Sequence, residues 1–154
     1  MAFPFDCVVF DLDGTLADTA PDLTAALNHA LVALGRTAIP AASVRHMVGH
    51  GARALLVRGL AATGTEDEAL VARGLPLFLD HYAAHIADGT QPFPGVEDAL
   101  DRLAAHGVRL AVGTNKPEAL AHALLDALGW TERFAGVVGG DTLPTRKPDP
   151  AMVH

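Results

Sequence analysis

Four consecutive apolar residues, Cys7 to Phe10, run straight into Asp11, Leu12 and Asp13, and Gly14 and Thr15 follow at once. A short apolar run carrying two valines and no polar alternation predicts a strand buried on both faces, as in a parallel sheet. That constrains the fold, because parallel neighbours need long crossover connections and covering helices. It also fixes where chemistry can sit, since ligands of open parallel sheets bind beyond the carboxyl ends of the strands. Asp11 and Asp13, at i and i+2, project to one side of an extended segment. Two crowded carboxylates repel unless a cation intervenes. A hard divalent ion such as Mg²⁺, which uses one or two carboxylates together with phosphate oxygens, would relieve them. Taken alone, Asp-x-Asp reads more simply as an ion pair or an acidic turn.

The rest of the chain supports a parallel sheet. Val108 to Val112 and Gly136 to Val138 are further buried-strand candidates, with helices expected over Glu97–Ala105 and Glu118–Leu128, closed by Gly107 and Gly129. Strand, helix, strand, helix, strand means right-handed crossovers and an α/β, doubly wound parallel sheet. Between residues 19 and 87 no strand is convincing. Leu23, Leu27, Leu31 and Leu34 form one helical stripe that Gly35 ends. Ser43 is expected to cap a second helix, Ala52–Leu60 to be helical, and Thr65 with Glu68 to form a capping box. Leu77–Ile86 is expected to be helical. The architecture expected is an α/β core of residues 1–18 and 89–154 with a helical insertion, residues 19–88, between its first strand and first core helix.

Polar residues recur at the strand ends: Thr114 and Asn115 after the second, Asp141 after the third, Lys147 on the loop beyond. Singly, Thr114 reads as a helix cap and Lys147 as a solvated lysine; it is their succession that points to a site. Asp141 suits either support of that site or the capping of a turn. His81 and His85, four apart, could touch one metal, but neither a Glu in H-E-x-x-H spacing nor a third ligand accompanies them. Gly49-His50-Gly51 is no dinucleotide fingerprint, because no strand precedes it.

Composition excludes some classes. The net charge of −7 over 154 residues, with no Lys/Arg cluster, argues against a nucleic-acid partner. Cys7 is the single cysteine, so no intrachain disulfide can form, and a reducing, cytoplasmic setting is expected. No apolar stretch reaches spanning length and the N-terminus has no basic leader region, so no membrane partner is expected.

The runs DLDGTL, GTNKP and GGDTLPTRKPDP resemble the first three motifs of the haloacid dehalogenase superfamily. Within it, FDLDGTLADTAPDL, MVGHGARALL and TLPTRKPDP are similar to the bacterial phosphoglycolate phosphatases. The resemblance implies a Rossmann-like core with an α-helical cap, and a Mg²⁺-dependent phosphatase of a small phosphorylated acid, 2-phosphoglycolate first. It implies Asp11 as nucleophile through an aspartyl-phosphate, and Asp13 as general acid and then base. Thr114 and Lys147 would stabilise the transferring group. Leu12, through its backbone, and Asn115 would complete the phosphate cradle, and Asp11 and Asp13 would hold the metal. Gly49, His50 and Arg53 would form the cap loop that reads the substrate carboxylate. An acid at position 13 favours phosphate esters over halide displacement, which needs none.

The superfamily carries a fourth motif, an acidic loop after the next core strand, and this sequence stops short of it. Asp149 and Pro150 look like a helix start, and the chain ends after four residues. A fragment, or a chain that pairs with something else, is therefore expected. Val8–Phe10 would then be a bare apolar edge that invites association with a second copy, a homo-oligomer. Alternatives are a sugar-phosphate phosphatase or phosphomutase on the same scaffold, and a catalytically incompetent chain that only binds phosphate.

Overall fold

The chain runs through β1 (Cys7–Phe10), β2 (Ala17–Asp18), α1 (Ala20–Ala33), α2 (Ala41–Arg45), α3 (Ala52–Thr63) and α4 (Glu68–Ala84). It continues through β3 (Gln91–Pro92), α5 (Val96–Ala105), β4 (Arg109–Gly113), α6 (Glu118–Ala127) and β5 (Gly136–Val138). A computed structural model describes residues 3–154. β1, β4 and β5 form a parallel sheet in that order, with Phe10 opposite Val112 and Val112 opposite Val137. Val8, Phe10, Leu110 and Val112 pack in one cluster with Leu100 of α5 and Leu124 and Leu125 of α6. Both helices therefore cover the same face, as right-handed crossovers in a strand order that advances one way require.

β1 differs from the strand expected. Its residues alternate: Val8 and Phe10 face the core, whereas Cys7 and Val9 are exposed, Val9 at 41%. The reason is coverage. β1 pairs with β4 on one side only among the described residues, so it lies at the edge of the sheet.

Helices α1 to α4 build a second core. Leu23, Leu27 and Leu31 of α1 are buried against Leu55, Leu56 and Leu60 of α3 and Phe78 and Tyr82 of α4, so the stripe read in the sequence is a packing face. Three local expectations are corrected. The cap of α4 is Asp67, whose Oδ1 accepts from Leu70 N at 2.8 Å, in place of Thr65. A single helix runs through Pro76 and joins the stretches read on either side of it. Ser43 lies inside α2, which Pro40 precedes.

The two units join through a ladder too short for any periodicity to reveal. β2 pairs antiparallel with β3, Ala17 opposite Pro92 and Asp18 opposite Gln91. Beside it the buried Asp22 carboxylate accepts from Gly89 N, from Thr90 N at 2.8 Å and from Thr90 Oγ1 at 2.7 Å. A buried carboxylate must be hydrogen-bonded, and these donors hold the chain where it leaves the helices. No helix is long and apolar enough to cross a membrane among the described residues.

His29, His81 and His85 stack face to face, with 4.5 Å between successive ring centroids. Stacking turns the ring nitrogens away from a common point, and no group of three or more His, Cys, Asp or Glu side chains placed to share a metal ion occurs among the described residues. The metal reading of His81 and His85 is dropped. Burial first, then His29 and His85, pull the His81 imidazole below the usual histidine range, while Asp88, 2.7 Å from His85 Nδ1, opposes the shift.

Two outcomes are expected. Asp22→Ala strands three backbone and hydroxyl donors, and denaturant unfolding should show a loss of at least about 2 kcal/mol; a change below about 0.5 kcal/mol would contradict the anchoring role. His81 favours its neutral form when folded, so stability is retained above the ordinary histidine value and lost as pH falls through it. Melting between about pH 7.5 and about pH 5.5 should therefore drop less in His81→Phe, which keeps a ring but cannot titrate; identical slopes would refute the assignment.

Candidate active site

Motif one turns at the end of β1. Leu12 is fully buried, and its flanking aspartates project the other way, towards the strand ends. Gly14 takes φ +73°, a conformation that costs glycine little, and the chain folds back through Gly14 N to Ala17 O at 2.9 Å. Asp11 Oδ1 lies 2.9 Å from Lys147 Nζ and 2.8 Å from Leu12 N. Asp13 Oδ1 lies 2.9 Å from Lys116 Nζ and accepts from Thr19 Oγ1 at 2.7 Å. Each carboxylate thus has its own lysine, and the repulsion inferred from the sequence is relieved twice.

The loop after β4 supplies the next residues. Thr114 is buried, and its Oγ1 accepts from Lys116 N at 3.1 Å. Asn115 ties three segments. Its Nδ2 donates to Gly49 O and to Lys147 O, both at 3.2 Å, and its Oδ1 accepts from Lys147 N at 3.0 Å. The carboxamide is therefore occupied with the protein and holds the cradle's loops together. Lys147 Nζ also donates to Gly113 O at 2.8 Å, which fixes its ammonium beside the nucleophile candidate. Gly140 allows the close approach of the β5 loop, since a Cβ there would stand 2.3 Å from Asn115 O. Asp141 Oδ1 accepts from Glu118 N at 2.7 Å, which ties the loop after β5 to the start of α6.

Sequence reasoning missed Lys116 and Tyr82. Lys116 is buried and donates to the Tyr82 hydroxyl, with its Nζ 4.2 Å from the Tyr82 ring centroid. Burial pulls the Lys116 ammonium below the usual lysine range, and Asp13 first, then Asp11 and Asp22, oppose it. Burial, with Asp13 and Asp22, pushes the Tyr82 phenol far above the usual tyrosine range, so it keeps its proton. No spacing rule separates Lys116 from a solvated lysine, and Tyr82 belongs to a helix read as core.

Where the helical unit meets the strand ends, a cavity of about 30 Å³ is lined by Asp13, Lys116, Tyr82, Gly49 and Gly51, with apolar residues making up the rest. Gly49 is where the sequence places it. His50 and Arg53 do not line the cavity. His50 is exposed, with Nδ1 3.2 Å from Arg58 Nη1. Arg53 grips Glu68 at 2.5 and 2.8 Å on the outer face. Helical spacing explains this: Ala52 and Leu55 of α3 face the cavity, and Arg53, the residue after Ala52, is turned about 100° away from it.

The donor set left for a metal is made of oxygens. Lys147 and Leu12 N both engage Asp11 Oδ1, which leaves Oδ2 without a protein partner among the described residues. A half-exposed carboxylate with a free oxygen beside a second aspartate fits Mg²⁺, whose remaining positions are filled by water and phosphate.

A model of the haloacid dehalogenase-like hydrolases matches residues 5–154. A phosphoglycolate phosphatase of Mesorhizobium japonicum is 50% identical over 144 residues, 93% of this chain and 63% of the relative. Another, of Caulobacter vibrioides, is 50% identical over 92% of this chain and 60% of its own length. The chain thus spans less than two thirds of these relatives. A crystal structure of a predicted phosphoglycolate phosphatase from Haemophilus somnus superposes with a TM-score of 0.89 at 32% identity, covering 96% of this chain and 68% of that one. CbbY from Rhodobacter sphaeroides, solved with phosphate, gives 0.76 at 26% identity, covering 96% and 69%. With a match over almost its whole length and the strand-end site in place, the chain belongs to the haloacid dehalogenase-like hydrolases.

Proposed function

We propose that the protein is a Mg²⁺-dependent phosphatase of small phosphorylated acids, with 2-phosphoglycolate as substrate. The observation that carries this is the pair of strand-end carboxylates, Asp11 and Asp13, each held by its own lysine. The named relatives, phosphoglycolate phosphatases at about half identity, support the substrate. The division is a core of residues 1–18 and 89–154 and a cap of residues 19–88, with a cytoplasmic location.

In this proposal Asp11 attacks phosphorus, the bond from phosphorus to the ester oxygen breaks, and an aspartyl-phosphate forms. Asp13 delivers a proton to the departing alkoxide, then takes one from the water that attacks the same phosphorus and frees Asp11. Lys147 offsets negative charge on Asp11 and the transferring group. The Thr114 hydroxyl and Leu12 N–H complete the cradle, and Asn115 keeps its loops in place. Mg²⁺ held by Asp11 and Asp13 would neutralise phosphoryl oxygens. A cavity with few polar walls suits a two-carbon acid better than a sugar, whose hydroxyls would need several partners.

The direct test is turnover by the intact protein of 2-phosphoglycolate against a panel of sugar phosphates, with and without a chelator. Preference for the acid, abolished by chelation, is expected; preference for a sugar phosphate would overturn the substrate. Asp11→Asn should lower kcat by roughly a thousandfold or more with unchanged melting; turnover near the parent rate would exclude the covalent role. Asp13→Asn should cost roughly 10²–10⁴-fold on an alkyl phosphate and much less on para-nitrophenyl phosphate, whose leaving group needs little protonation. Equal losses on both would contradict the acid role.

A further inference from the structure

With Arg53 paired to Glu68 on the outer surface, the cap loop leaves the cavity without the guanidinium expected to read a carboxylate. The cavity nonetheless contains a cation. Lys116 is the one positively charged residue among those that line it, and it is buried there. An ammonium carries three donors. Two are engaged, by Asp13 Oδ1 at 2.9 Å and by the Tyr82 hydroxyl oxygen, which leaves one. The Tyr82 hydroxyl accepts from Lys116, and no acceptor for its own hydrogen occurs among the described residues. Two unspent donors, one charged and one neutral, therefore stand side by side in a cavity otherwise mostly apolar. That is the complement of a carboxylate, whose two oxygens accept one hydrogen bond each.

Their position suits the substrate proposed above. With phosphorus at Asp11, the ester oxygen must come within hydrogen-bond reach of Asp13, its proton donor. In 2-phosphoglycolate one methylene separates that oxygen from the carboxylate carbon. The carboxylate therefore falls close to the groups that adjoin Asp13, which are Lys116 and Thr19. Resting on that substrate reading, we propose that Lys116 and the Tyr82 hydroxyl form the subsite for the substrate carboxylate, with Lys116 the specificity-determining residue. Lys116 belongs to the loop after β4 and Tyr82 to α4, so an acid bridging them links the cap to the core. A phosphate ester without the carboxylate leaves both donors unpaired in a dry cavity, which is how buried polar groups reject an analogue.

The test compares kcat/KM for 2-phosphoglycolate and for ethyl phosphate, which has a methyl group in place of the carboxylate, in the intact protein. Lys116→Met also deprives Asp13 of its partner, so both substrates lose; the subsite is read from the ratio. That ratio should fall roughly 10–100-fold, the range of a charge-assisted hydrogen bond, and Lys116→Arg should restore part of it. Tyr82→Phe removes only the hydroxyl and should lower the ratio roughly 3–10-fold, mostly through KM. Should Lys116→Met fail to fold, Tyr82→Phe decides alone. A parental ratio in Tyr82→Phe and in any folded Lys116→Met overturns the subsite while leaving the substrate intact. A parent protein with no preference for 2-phosphoglycolate is the different failure, that of the substrate itself, and the subsite falls with it.

Discussion

Two carboxylates converge at the end of one strand, and two lysines make that convergence tolerable. Asp11 with Lys147 and Asp13 with Lys116 stand at equal separations of 2.9 Å, but in unlike surroundings. The Lys147 pair is about one-third exposed, so water and ions can reach it; the Lys116 pair is nearly dry. A charge pair in a dry setting is strong only when the geometry is good and the other polar atoms are satisfied. Thr19 satisfies Asp13, and the Tyr82 hydroxyl oxygen accepts from Lys116, whose third donor stays open towards the cavity. The two pairs are thus suited to different work, one open to an incoming phosphate and the other enclosed against the cap.

Much of the remaining structure serves to hold four charged groups in place. Buried Leu12 fixes the direction of the aspartates beside it. Asn115 joins the cap loop at Gly49 to the segment that carries Lys147. Gly140 permits two loops to touch, and Asp22 secures the chain at the return from cap to core. Apart from Asp22, in the first turn of α1, these residues lie on loops, whereas the strands and α6 behind them are packed in a continuous apolar cluster. Rigid strands with polar loops at their carboxyl ends is the usual division of labour in α/β proteins.

The sheet and most helices were legible because their signals are periodic or punctuated. β5 falls on the residues expected, and the leucine stripe of α1 is its packing face. Strand-end aspartates and Lys147 were legible because spacing and order pointed to them. What was not legible depended on partners distant in sequence. β2 and β3 have two residues each and exist through each other, 74 residues apart between Ala17 and Gln91 by number. Asp67 outcompetes Thr65 as cap through one hydrogen bond that a string of residues does not disclose. Lys116 and Tyr82 meet only when the cap folds over the loop after β4. Arg53 fails for the opposite reason: its motif context suggested the cavity, but its place on α3 faces it outward to Glu68.

The central claim is that the Asp11 carboxylate, held by Lys147 at the end of β1, becomes covalently bonded to phosphorus. It is tested by acid-quenching the intact protein within a single turnover of radiolabelled 2-phosphoglycolate and locating the label by peptide mapping. Label on the peptide carrying Asp11, absent from the Asp11→Asn variant, is the result predicted. Full release of inorganic phosphate with no label on protein at any quench time would contradict it.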